Sequence, residues 1–444
     1  MAGPTLEEMQ KAFATYVTDR RILVADPSSG SRTSVVRILR ELGAKASNLT
    51  TSPSFDGAIA DLDSMKPNIV ITDYNLGKQG GLRLMQRLRK HYPNPRDTLF
   101  ILVTSNCRES SIAEAAEEDV DGYILKPFSV EIFRDNFLKA AYAKINPSSY
   151  QLQIQEGKAA LLAQNAEKAE IFFETALTLV ERPILAHYYH GQSCVMSKKY
   201  PRAEKSYLQG LALNELHYRC LRGMLELHVL RGETSQAYPI ARMIVEHYPI
   251  SPGLLGQVLR LAVKTGGFED IDDYYLVYTH LDERSPELVK VMGAALIVAG
   301  RFHLGKRHLP RAVELFKRAL ITTARGPGTF REIVNALLKA NQPGLANQFL
   351  KEYPPADRGS RDYQVLDLQI LNALGTRSQV INIARDLITQ GAQEIEVYEI
   401  VIKRSLEAGY KDSAEDYAHQ ASKAYPALKE RFMALLHVEA PATK

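Results

Sequence analysis

The reading of the chain turns on PNIVITDYNLGKQGG, residues 67–81. Ile69-Val70-Ile71-Thr72 is a near-continuous apolar, β-branched run, the composition of a strand covered on both faces. It stops at a carboxylate, Asp73, and Gly81-Leu82 then opens a helix that puts Leu82, Met85 and Leu88 on one side at three-residue spacing. In an open parallel sheet, ligands bind beyond the carboxyl ends of the strands, so an acid in this place is a candidate for chemistry. Alone, it reads as well as a turn or helix-capping residue.

Outward from Asp73 the same pattern recurs. Strands are expected at Ile22–Ala25, around Ala46 to Thr50, at Leu99–Val103 and at Tyr123–Leu125, alternating with amphipathic helical stretches. That alternation is the signature of a parallel sheet wrapped by crossover helices. Polar residues gather at the strand ends: Asp26 after the first, Thr104 with Ser105 closing the fourth, Lys126-Pro127 closing the fifth. With Asp73 they supply two carboxylates for a hard divalent cation, a hydroxyl and a fixed ammonium, the surroundings an acyl phosphate on Asp73 needs.

These residues and spacings resemble the response-regulator receiver family over about Asp19 to Ala143. The resemblance implies an α/β doubly wound, five-stranded parallel sheet of the flavodoxin-like kind. It makes Asp73 the phosphoacceptor and Lys126 the site lysine; Thr104 is the hydroxyl that turns toward the phosphoryl group, and Tyr123 the aromatic that changes rotamer on activation. Asp26, Asp73 and the carbonyl of Asn75 become the ligands of Mg2+, and the Lys126-Pro127 peptide is expected to be cis. One departure stands out: the family ends its first strand with two acids, whereas here the pair is Ala25-Asp26, which implies weakened magnesium binding. The implied chemistry is transfer from the phosphohistidine of a sensor histidine kinase or phosphotransfer protein to Asp73. The state of the site is then reported to the face of the fourth helix, fifth strand and fifth helix, where Ile132, Phe133 and Phe137 form an apolar stripe.

After Asn146-Pro147-Ser148-Ser149 the strand-like runs stop and the chain reads as helix, turn, helix. Ala169, Ala203 and Ala237 are spaced evenly and the next step reaches Ile271; Gly232, Gly266 and Gly300 keep the same period, five residues upstream of such sites. The register then slips, which is assigned to an insertion around Phe302 to Pro310, and resumes with Asn341, Gly375 and Gly409, ahead of Ala346, Val380 and Ala414. The same frame puts Gly157, Gly191 and Gly293 in the middle of first helices and Phe173, Tyr207, Tyr275 and Phe316 in second helices. About eight helix pairs result, an all-α superhelical repeat domain in which small residues sit where helix axes approach closely.

The repeats resemble the tetratricopeptide repeat family, best in the first three units, although the aromatic of the family's first helix is absent. That resemblance implies a groove holding a protein or peptide partner, with Tyr188, Arg219 and Arg222 as candidate contacts. The expected organisation is an N-terminal amphipathic helix at 1–18, a receiver at 19–145, a linker at 146–150, the repeat array at 151–426, and a capping helix with a frayed tail at 427–444. In the first segment Thr5 to Glu8 looks like a capping box, and Leu6, Met9, Phe13 and Val17 make an apolar face. That face could cover the receiver, touch the repeats or pair with a second copy in a homodimer.

Composition narrows the function. The chain has 444 residues, 45% of them hydrophobic and 24% charged, with a formal charge of +4 and no basic block. A nucleic-acid partner is therefore a poor expectation. No run of 18 or so consecutive apolar residues is seen, so no membrane partner and a cytoplasmic setting are expected. The three cysteines, Cys107, Cys194 and Cys220, lack zinc-ligand spacing and are expected to be reduced thiols. His187, His190, His217 and His228 read as scattered helix residues, not a metal site. No catalytic motif follows residue 150. The expected role is a two-component response regulator acting through protein-protein interactions rather than an output enzyme. The alternatives are a passive scaffold with an unphosphorylated receiver, or a DNA-binding transcription regulator.

Overall fold

The computed structural model describes residues 4–76, 79–81, 83–92, 94–105, 120–248, 250–281 and 284–437. Leu82, Cys107, the expected fourth receiver helix and the tail from Ala440 lie outside them. Five parallel strands, β1 Ile22–Ala25, β2 Leu49–Ser52, β3 Ile69–Asp73, β4 Leu99–Thr104 and β5 Gly122–Leu125, run in the order β2-β1-β3-β4-β5. The register pairs Val24 with Ile71, Ile71 with Ile101 and Val103 with Ile124. Where a strand was expected from Ala46, Ala46–Asn48 makes one tight 3-10 turn and the strand begins at Leu49. Alanine, serine and asparagine are weak strand formers, and this edge strand offers little burial to override them.

Alternation along the strands builds two apolar layers. Ile22, Val24, Ile69, Ile71 and Ile101 face helices Ser29–Glu41 and Val130–Ile145. Leu23, Ala25, Val70, Phe100 and Leu102 face helices Phe55–Met65 and Arg83–His91, where Met85 and Leu88 are buried. The N-terminal helix, Leu6–Val17, opens with the Thr5/Glu8 capping box. It takes the first of its three possible places: Met9, Phe13 and Val17 are buried in the receiver core, and Phe13 meets Phe137 edge-on at 5.0 Å. Phe133 and Phe137 are thus core residues, while Ile132 is 54% exposed.

The helical region divides between two compact units, Met1–Ile250 and Ser251–Lys444. In the first, the receiver is followed by three helix pairs: Ser149–Leu162 with Ala166–Leu177, Ile184–Met196 with Tyr200–Leu213, and Tyr218–Leu230 with Thr234–His247. Ser148 caps the first of these helices through a box with Gln151, so helix begins inside the segment expected to be linker. Arg96, on the turn before β4, donates to Gln155 at 2.9 Å and pairs with Glu156 at 2.8 Å. The first pair therefore meets the receiver at the N-terminal ends of its strands.

The second unit begins with the pairs Pro252–Thr265 with Ile271–Thr279, Pro286–Gly305 with Leu309–Thr322, and Pro327–Lys339 with Pro343–Lys351. It continues with Arg361–Leu374 paired with Arg377–Thr389 and Ile395–Glu407 paired with Lys411–Ala424. A last helix, Lys429–Leu435, buries Phe432 against this stack.

The small-residue column is uniform: Ala169, Ala203, Ala237, Ile271, Ala312, Ala346, Val380 and Ala414 are all fully buried. The inter-helix turns use a left-handed residue at Gln164, Lys198, Gly232, Gly266, Arg307, Asn341 and Gly409. Gly300 is not a turn residue, contrary to the sequence register. It lies inside a 20-residue helix, and a Cβ on it would come within 2.4 Å of the Phe316 ring, as one on Gly157 would meet Phe173 and one on Gly191 would meet Tyr207. Gly293, placed mid-helix by the sequence, would instead meet Thr323. The insertion thus precedes Gly300. Seven extra residues are close to two full turns, so they lengthen the helix without rotating its packing face. Pro286–Gly305 is also the one described helix apolar and long enough to cross a membrane, and about half of it is buried within the protein.

Candidate functional site

The ends of β1, β3 and β5 bring the predicted acids and lysine to one point. Asp26 and Asp73 are nearly buried, at 4% and 8% exposure, and both accept hydrogen bonds from the Lys126 ammonium through their Oδ2 atoms. The Asp26 contact is 2.5 Å. The peptide Lys126-Pro127 is cis. Burial acts to strip the proton from Lys126, but its hydrogen bonds to Asp26 and Asp73 outweigh this and raise its pKa. The ammonium is therefore a permanent positive charge in the site.

The other atoms of the two carboxylates are also fixed. Asp73 Oδ1 accepts the Asn75 amide at 2.7 Å, which places Asn75 directly beyond the acid. Asp26 Oδ1 accepts the Ser28 amide at 2.8 Å, and Ser31 Oγ donates to Asp26 Oδ2 at 2.6 Å. Thr104 is fully buried at the end of β4, one residue past the register partner of Asp73, and its carbonyl accepts the Lys126 amide at 2.7 Å. Tyr123, half-buried on β5, pairs with Leu102 in register. Asp26, Asp73, Asn75, Thr104 and Lys126 are thus adjacent, with Tyr123 on the neighbouring strand. Ala25, fully buried, belongs to the apolar layer against Ala58 and Leu62.

Two carboxylates against one ammonium leave excess negative charge among hard oxygen donors, a donor set that fits a small divalent cation such as Mg2+. Two contributors were not read from the sequence as site residues. Ser31 orients Asp26, and its only local signal is a hydroxyl in the first turn after the acid. Gly81 lies so close that a Cβ on it would come within 2.0 Å of the Asp73 carbonyl oxygen and 2.7 Å of Thr72 Oγ1, so the loop after the acid closes only on glycine.

The candidate groove residues behave differently from one another. Arg219 donates to the Tyr189 hydroxyl at 2.7 Å and lies over the Tyr188 and Tyr189 rings, facing a cleft. Tyr188 accepts from Gln192 at 2.6 Å and Arg222 pairs with Glu226 at 2.8 Å; neither lines that cleft. Elsewhere Glu170, His190 and Cys194 bring ligand-type atoms within 4.8 Å of one another. Glu170 is already engaged by Ser197, Lys199 and Arg202, and His190 by Ser206 at 2.6 Å. Burial pushes the Cys194 thiol up to about 11, away from the thiolate a metal needs. Among the described residues Cys194 and Cys220 are free thiols.

A doubly wound sheet whose strand ends gather two acids, a hydroxyl and a cis-proline lysine defines a receiver, here followed by paired helices. The sequence matches the response regulator receiver domain over residues 22–137. It is 30% identical over 126 residues to the chemotaxis protein CheY of Pseudomonas aeruginosa, covering 27% of this chain and 94% of that protein. It is 25% identical over 136 residues to the phosphate regulon transcriptional regulatory protein PhoB of Escherichia coli, covering 31% of this chain and 57% of that protein. The chain belongs to the response-regulator receiver family. A solved tetratricopeptide repeat protein from Parabacteroides merdae aligns over 58% of this chain and 99% of its own, at 14% identity and a TM-score of 0.31.

Proposed function

We propose that this protein is a two-component response regulator phosphorylated on Asp73, whose output is the binding of other proteins by its helix pairs. The convergence of Asp26 and Asp73 on one half-buried lysine, beside Thr104, carries this reading. The Asp73 carboxylate forms the new O–P bond as the P–N bond of a kinase phosphohistidine breaks, and the imidazole leaves. In this reading Lys126 offsets charge on the incoming phosphoryl group, and Thr104 donates its hydroxyl to it. Asp26, Asp73 and the Asn75 carbonyl would hold Mg2+, whose charge neutralises the transferring group when bound. Tyr123 and Thr104 then bias the surface around β5, where Leu125 and Ile132 are exposed. The first helix pair attaches at the opposite, N-terminal ends of the strands, away from these residues. This reading sets the protein in the cytoplasm and needs no nucleic acid, membrane or second enzymatic reaction.

The rival is a receiver kept as a passive docking surface, favoured by Ala25 in place of an acid. Incubation with acetyl phosphate and magnesium, followed by intact mass measurement, separates the two. One added phosphoryl group on the wild type and none on Asp73→Asn is expected. An unmodified wild type, under conditions that label an ordinary receiver, would leave the passive reading.

A further inference from the structure

In the unit Ser251–Lys444 a narrow pocket of about 100 Å³ lies between the first helices of three consecutive pairs, Pro327–Lys339, Arg361–Leu374 and the start of Ile395–Glu407. Acidic and amide side chains supply most of its polar lining. Gln369 Oε1 and Glu394 Oε2 are buried there, and neither accepts a hydrogen bond from any described residue. Glu394 directly precedes the helix Ile395–Glu407, yet its side chain does not cap that helix.

The charge is unbalanced as well. Arg331, the cation among the lining residues, is already paired with Asp362. Glu394 and Glu396 form no ion pair with any described residue. A buried carboxylate oxygen needs a donor and a compensating charge, and water supplies the donor alone. A metal ion fits poorly: among the described residues, the trio of His, Cys, Asp or Glu whose ligand atoms come within 4.8 Å of one another is Glu170, His190 and Cys194, in the other unit. Acceptors spread more widely than that suit an organic cation with several N–H groups, and Val365 and Leu366 offer its alkyl stem an apolar wall.

We propose that this pocket receives the cationic end of a lysine or arginine side chain of a partner protein, its N–H groups donating to Gln369 and Glu394 and its stem lying on Val365 and Leu366. The exposed Glu396 adds negative charge at the entrance. The inference rests on the reading of the helix pairs as a holder of proteins, to which it adds the class of residue held, and is independent of whether Asp73 is phosphorylated.

The test uses the full chain and fluorescein-labelled octapeptide pools whose central residue is Lys, Arg, Gln or norleucine and whose other positions are randomised over uncharged residues. Fluorescence anisotropy is expected to show the Lys or the Arg pool binding about tenfold more tightly than the Gln and norleucine pools, the scale of one charge-assisted hydrogen bond. Glu394→Gln, checked for unchanged circular dichroism, should remove that preference, and Gln369→Glu, which adds a carboxylate, should enlarge it. Glu352→Gln, at an exposed acid that does not line the pocket, should leave it as in the wild type. Equal binding of all the pools, or a preference that survives Glu394→Gln, overturns the pocket assignment while leaving the helix pairs as a protein holder. Failure of every pool to bind overturns the holder reading with it. Calorimetric binding of calcium chloride that is lost in Glu394→Gln would overturn the proposal by assigning the pocket to a metal ion instead.

Discussion

At the residue scale, the site is built on backbone closeness as much as on charge. Gly81 shows this: Gly81→Ala forces a methyl against the Asp73 carbonyl, where overpacking costs about 1–3 kcal/mol and displaces the acid. Phosphoryl labelling from acetyl phosphate should fall at least tenfold in this variant while far-ultraviolet circular dichroism stays the same; full labelling would show that the loop tolerates a Cβ. Asp26, Asp73 and Lys126 were legible because each follows a strand that the sequence marks clearly. Ser31 and the tight approach of Gly81 were not, since both depend on where distant backbone arrives. His217 gives a second prediction. Its ring accepts the Cys220 amide at the start of the helix Tyr218–Leu230, and burial depresses its pKa from the ordinary 6.5 to about 4. The unfolded chain therefore binds the proton first as pH falls, so stability is full above pH 6.5 and declines on acidification toward pH 4. In His217→Asn, which keeps a capping side chain without the titration, the fall in melting temperature between pH 6.5 and 4.5 should be smaller than in the wild type.

At the scale of elements, the aromatic–glycine pair is the unit of stacking. The Tyr207 ring fills the space a Cβ would take on both Gly191 and Gly223, and the Phe316 ring does the same at Gly300. Gly300→Ala should destabilise the second unit by about 1–3 kcal/mol. Gly305→Ala, at the end of the same helix with nothing within 4 Å of the added carbon, should be neutral or stabilising by about 0.5–1 kcal/mol. Urea unfolding followed by circular dichroism compares them, and equal effects would remove the packing argument. The same residue explains what the sequence hid. The alanine column was readable because its period survives substitution by Ile271 and Val380. Gly300 fits two columns at once, one a repeat after Gly266 and one opposite Phe316, and spacing cannot choose between a turn glycine and a packing glycine. Only the position of the Phe316 ring decides it, and with it where the two extra turns of helix lie.

At the scale of the whole molecule, the first compact unit holds more than the receiver. Residues Met1–Ile250 join the sheet to three helix pairs, tied by Arg96 to Gln155 and Glu156, while Ser251–Lys444 has its own core around Leu368, Val397 and Phe432. A ligand that binds only the folded form stabilises the cooperative unit it belongs to, by about 2.7 kcal/mol at a hundredfold excess over Kd. Magnesium with beryllofluoride, a mimic of the Asp73 acyl phosphate, should therefore raise one of two calorimetric transitions by a few degrees and leave the other in place. Hydrogen exchange should then show slower global opening not only in β1, β3 and β4 but through helices 149–162, 184–196 and 218–230, with residues 251–437 unaffected. Slowing confined to residues 22–145 would mean that the receiver opens alone. The three pairs would then be a tethered module that the site cannot influence through a shared unfolding reaction, and any control of partner binding would have to pass through the exposed surface of β5 and its neighbouring helix.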